Sequence, residues 1–184
     1  MNLFKTLPEL SSEEKKKAKK HLFFAVRFWC AMSEKSRREG ILSLEELLTD
    51  GKITLPDGKR AFPPSEDAES GYADIEDWLF SRLIRLLCDG IDENFVVSVA
   101  RYSLCNLEKH LPPARLLSLL MGVQAIVNLH RGEVVFYTKY QLSAMLGHEL
   151  CEEFLLNPLP PLELSSSAHQ VKIEHTPEEL EAFL

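Results

Sequence analysis

A chain of 184 residues with 45% hydrophobic and 27% charged side chains has the make-up of one globular domain with tails, which excludes wholesale disorder. Its 21 basic and 28 acidic groups leave a formal charge of -7, the wrong sign for a dedicated nucleic-acid binder, whose affinity comes mostly from neutralising phosphates. The charge is uneven: residues 1–60 hold 13 basic and 9 acidic groups, a net of +4, and the remainder holds 8 and 19, a net of -11.

The first element is announced by Ser11 and Glu14, an S-x-x-E capping box. From there to about Leu48 only Gly40 interrupts the helical pattern, and one glycine weakens a helix without ending it, so a single helix of about 50 Å is expected. Its lysine run (Lys15, Lys16, Lys17, Lys19, Lys20) reads first as a solvated face. Residues 48–71 change character. A Pro56-Asp57-Gly58 turn between Lys52–Leu55 and Lys59–Phe62 predicts a small hairpin or loop excursion near 50–64, ended by Pro63 and Pro64.

Four more helices follow. Asp74–Asp89 has acids in its first turn, arginines later and Gly90 behind it. Glu93–His110 is next. Pro113–His130 begins on a proline and stops before Gly132. Glu133–Leu156 is the last of the body. The fold class is therefore all-α, a helical bundle over residues 1–156. Residues 157–184 form a linker, centred on Leu162–His169, and a short helix opened by Thr176 with Pro177 and Glu179. That helix presents Leu180, Phe183 and Leu184 at i, i+3 and i+4, a face that needs a groove, and its acids favour the basic Lys15–Lys20 region as landing site. The expected core includes Phe24, Phe28, Leu44, Trp78, Leu79, Leu83, Leu86, Phe95, Leu117, Met121, Ile126 and Leu146.

The longest apolar stretches, Leu22–Met32 and Leu116–Leu129, are shorter than the roughly 20 residues that span a bilayer. The first twenty residues lack the apolar core of a secretory leader. Cys30, Cys88, Cys105 and Cys151 show no paired spacing and read as reduced, buried thiols. A soluble, cytoplasmic protein is expected.

Chemistry-bearing motifs are sparse. There is no glycine-rich phosphate loop, no G-x-S-x-G and no H-E-x-x-H. His148, Cys151 and Glu152 share a helical face at zinc-ligand spacing, but no second cluster completes a site, so no metal and no cofactor are expected. The most distinctive stretch is Ser33–Glu46. On a continuous helix Ile41, Leu44, Leu47 and Leu48 form an apolar stripe that Arg37 joins through its stem, and Glu34, Arg38 and Glu45 fall on an adjacent strip. That strip is either a salt-bridged solvated face or a display of charges for a partner.

Residues 36–45, Ser-Arg-Arg-Glu-Gly-Ile-Leu-Ser-Leu-Glu, resemble the cytoplasmic signature of MotA-type (MotA/TolQ/ExbB-like) flagellar stator proteins. In that family a basic helix reads S/A-R-x-x-G-x-x-x-L-E and presents charges to the rotor protein FliG. Trp78–Gly90 is similar to the family helix ending in LRLLVDG. Residues 114–146 are similar to the cytoplasmic tail of long stators, although Arg131-Gly-Glu-Val-Val135 lacks that tail's proline. The membrane spans have no counterpart. The resemblance implies a non-enzymatic interaction protein of the flagellar motor or motility apparatus, binding a rotor or stator component through Arg37 and Glu45. The helical pattern adds Arg38 and Glu34. A second copy of the chain is also an open partner. Two other readings stay open: a metal-assisted hydrolase at His148 and Glu152, and a general helical scaffold with convergent motifs.

Overall fold

The computed structural model describes residues 10–64, 72–105, 107, 110–157 and 159–164. They form an all-α body with one long helix at its centre. That helix, α1 (Ser12–Glu39), starts as the capping box requires: the Ser11 hydroxyl accepts the Glu14 N–H at 3.3 Å, and the Glu14 carboxylate accepts the Ser11 N–H at 2.8 Å. It does not run on to Leu48. Gly40 adopts φ +88°, a conformation that costs residues with a Cβ, and turns the chain after donating a last hydrogen bond to Ser36.

Beyond the turn, Ile41–Leu47 forms a 3-10 helix, steadied by the Ser43 hydroxyl, which donates to the Gly40 carbonyl at 2.6 Å. Three residues per turn stack Ile41, Leu44 and Leu47 on one side, and Leu44 and Leu47 are buried. Leu42 and Glu45 occupy the opposite, exposed side.

The expected hairpin is present and has an additional turn. Strands β1 (Leu48–Thr49) and β2 (Lys52–Ile53) pair antiparallel across Asp50-Gly51, both at positive φ as a tight two-residue turn needs. The chain then reverses through Pro56-Asp57-Gly58, with Leu55 N–H bonded to Lys59 at 2.7 Å and a bridge between Thr54 and Arg60. This excursion delivers Phe62 into the core, edge-on to Phe24, Phe28 and Phe80 at 5.9, 5.1 and 5.2 Å.

Helices α2 (Ile75–Cys88), α3 (Glu93–Leu104), α4 (Pro113–His130), α5 (Val135–Met145) and α6 (His148–Leu156) complete the body. The α4 bounds match the expectation. α3 ends earlier than expected, at Leu104. The expected helix over Glu133–Leu156 is two helices, parted at Gly147, where φ is +80°. α4 is the innermost helix after α1 and buries residues all round. Mid-helix, Gly122 lets the rings of Phe80 and Trp29 lie against its backbone.

Two large apolar residues expected inside are outside. Trp78 is 46% and Phe95 55% exposed. α2 instead turns Glu76 and Asp77 inward. Asp77 accepts the Ile53 N–H at 3.1 Å and the Arg60 Nε–H at 2.9 Å, fastening the hairpin to α2. Glu76 pairs with Arg115 and accepts from the Ser118 hydroxyl at 2.5 Å and from His21 at 3.0 Å. These buried acids set the rotation of α2, and Trp78 is left outside beneath the Arg82 guanidinium at 5.1 Å. On α3, Val96, Ala100 and Leu104 face the core, one stripe that excludes Phe95. Among the cysteines, Cys105 is exposed rather than buried, and Cys30, Cys88 and Cys151 are half-buried.

The chain after α6 returns along α1. Arg27 Nε–H donates to the Pro160 carbonyl at 3.1 Å, and Leu164 is buried. Among the described residues, no helix is long and apolar enough to cross a membrane.

Candidate docking site at the end of the first helix

The end of α1 is an elbow tied across its turn by side chains. Its anchor is Lys35, whose side chain is 2% exposed. The ammonium bonds to Glu39 one turn along α1 and to Glu46 Oε2, across Gly40 on the 3-10 helix, at 3.1 Å. Burial disfavours its charge, but the hydrogen bonds and negative charges of Glu39 and Glu46 outweigh burial and hold its pKa above the ordinary lysine value. A second tie comes from α2, where the Cys88 thiol donates to the Ile41 carbonyl at 3.3 Å. Burial first, then the charges of Glu45 and Asp89, push that thiol up to about 11. It stays protonated at neutral pH and so remains a donor.

Of the sequence-predicted residues, Glu34 and Arg38 are brought together, their ion pair closing at 2.7 Å along α1. Arg37 is exposed. The expectation that its stem lies on an apolar stripe fails because Gly40 breaks the helix on which that stripe was drawn. Glu45 is exposed on the 3-10 helix, beyond the elbow, and among the described residues no ion pair joins it to Arg37 or Arg38. In chain order the exposed positions are therefore two arginines before the turn, Leu42, 64% exposed, just after it, and an acid three residues further on. Sequence reasoning missed Leu42, whose exposure follows only from the three-residue repeat.

A second exposed surface was also missed. Phe136, Tyr137 and Tyr140 on α5 are 64%, 58% and 52% exposed, with the Phe136 and Tyr140 rings 4.7 Å apart. Its sequence signal is the run Val134-Val-Phe-Tyr137, which a bundle helix has no reason to carry outward.

The other candidates are dispersed. His148 Nδ1 lies 3.5 Å from Glu152 on an open surface, with side chains 81% and 65% exposed, and Cys151 is half-buried. Among the described residues, no group of three or more His, Cys, Asp or Glu is placed to hold a metal ion. The lysine run is partly committed: Lys15 pairs with Glu149 at 2.9 Å and Lys19 with Glu153. His21 and Ser118 both contact Glu76, but Ser118 is fully buried, beyond the reach of a substrate. Burial, then the Arg115 charge, push His21 down to about 4. The helix expected over 176–184, with Leu180, Phe183 and Leu184, lies outside the described residues.

Comparison of the chain with protein-family models, with curated proteins and with solved structures found no match.

Proposed function

We propose that this protein is a non-enzymatic, cytoplasmic docking protein of the flagellar motor or motility apparatus. In this reading it engages a rotor or stator component through Arg37, Arg38 and Glu45. The observation that carries the reading is the Lys35 clamp. A lysine enclosed between two acids ties α1 to the 3-10 helix across the turn, while Arg37, Arg38 and Glu45, the charged residues taken from the stator-like stretch, sit outside and Leu44 of the same stretch is buried. Preorganised charges beside an exposed leucine suit a contact in which the charges select the partner and apolar area supplies affinity. The resemblance of residues 36–45 to the MotA-type signature supplies the motor context.

Direct binding of the full chain to purified FliG and to a stator cytoplasmic domain, at low and high salt, tests this. Arg38→Glu and Glu45→Lys weaken binding at least tenfold, and the melting temperature stays within the shift expected for exposed substitutions, under about 0.5 kcal/mol. Arg37→Glu behaves the same way, because its side chain is exposed. Wild-type chain that binds neither component, or binding untouched by both reversals, refutes the proposal.

A further inference from the structure

A groove of about 320 Å³ runs between α1, α5, α6 and the returning chain. Ala31, Val135, Phe154 and Leu162 contribute apolar walls. Its charged rim is unbalanced, with Arg27, Arg38 and Lys139 against Glu34 alone. Such a groove fits an apolar helical face flanked by acids.

The chain carries a segment of that chemistry. Residues 176–184, Thr-Pro-Glu-Glu-Leu-Glu-Ala-Phe-Leu, combine a capping box with Leu180, Phe183 and Leu184 at helical spacing and with three acids, Glu178, Glu179 and Glu181. We propose that this segment occupies the α1–α5–α6 groove of its own chain, its apolar triad against Val135 and Phe154 and its acids toward Lys139. Nine residues do not hold a helix alone in water, so its capping signals act only where a surface supports them.

The tether favours the same molecule. Leu159–Leu162 form one wall of the groove, and Leu164 is buried immediately after. Residues 165–175 then lead to Thr176. Eleven residues reach at most about 36–40 Å even when fully extended, so the tether holds the segment close to the groove and raises its effective concentration there. The Lys15–Lys20 region is a poorer seat, since Lys15 and Lys19 already pair with α6.

The full chain is studied by methyl NMR. The expected result is nuclear Overhauser contacts between the Phe183 ring and the Val135 and Leu162 methyls, lost in a full-length Leu180→Asp, Phe183→Asp variant. The shifts that accompany this loss are confined to Ala31, Val135, Leu159 and Leu162. Both substitutions lie in the segment itself, so the body stays folded. Lys139→Glu lowers the docked population at least fivefold. Absent contacts, or shifts centred on another face, overturn the proposal. So do contacts seen only between differently labelled chains in a mixed sample, which assign the groove to a second copy.

Discussion

Enclosing Lys35 between Glu39 and Glu46 makes the elbow unequally sensitive to its parts. The lysine side chain is 2% exposed, whereas Glu39 and Glu46 are 33% and 62% exposed. Replacing both acids by glutamine leaves an enclosed ammonium without a counter-charge. Breaking a buried pair in this way costs about 3–5 kcal/mol, and the water around the acids places this case near 3. Lys35→Met keeps an unbranched stem in the same packing and leaves two acids already facing water, so it costs under about 1 kcal/mol. For a chain of this size 1 kcal/mol moves the melting temperature by about 2–4 °C. The Glu39→Gln, Glu46→Gln protein should therefore melt about 6–12 °C below wild type and Lys35→Met less than 4 °C below. Adding Lys35→Met to the double variant should recover most of the loss. Thermal and urea denaturation at pH 7 in 0.1 M salt measure all four proteins. A Lys35→Met protein as unstable as the double variant would refute the clamp.

Two further outcomes are expected. In Gly122→Ala the new Cβ meets Phe80 Cε1 at 2.2 Å, and Phe80 is held by Trp29 and Phe62 at 5.0 and 5.2 Å. Overpacking of about 1–3 kcal/mol therefore exceeds the roughly 1 kcal/mol of helix propensity gained, and the melting temperature falls. His21 sits at about 4 when folded against an ordinary 6.5, so only the unfolded chain takes up its proton between these values. Stability accordingly falls as pH drops from 6.5 toward 4, by less than about 3 kcal/mol, and urea titrations across that window should show a shallower fall for His21→Gln.

Local punctuation was readable. Pro113 and Gly132 frame α4, and Ser11 with Glu14 opens α1, because these residues act on their own neighbours. The breaks at Gly40 and Gly147 were not readable. A glycine inside a helix costs only about 1 kcal/mol, so the pattern alone cannot tell a tolerated glycine from a turn. Burial of Leu44 and Leu47 against the rest of the chain decides it. The orientation of α2 was hidden for a related reason: Trp78 outranks Glu76 and Asp77 in hydrophobicity, and only Arg60, Arg115 and Ser118, brought in by the fold, make buried acids stable there. At the candidate site, Glu34 and Arg38 were legible as an i, i+4 pair. The Lys35–Glu46 contact was not, since it crosses the turn.

The central position of α1 has a consequence in time. Beside the 3-10 helix that follows it, its main packing partners are α4 and α5, both far downstream, so much of this helix is covered late. About a hundred residues separate its end at Glu39 from the end of α5 at Met145. At roughly 5–20 residues per second the ribosome needs about 5–20 s to supply them. Throughout that interval α1 has only its early cover, Phe62 against Phe28 and Phe80 of α2 against Trp29, which makes the nascent chain, rather than the finished one, the state most exposed to aggregation.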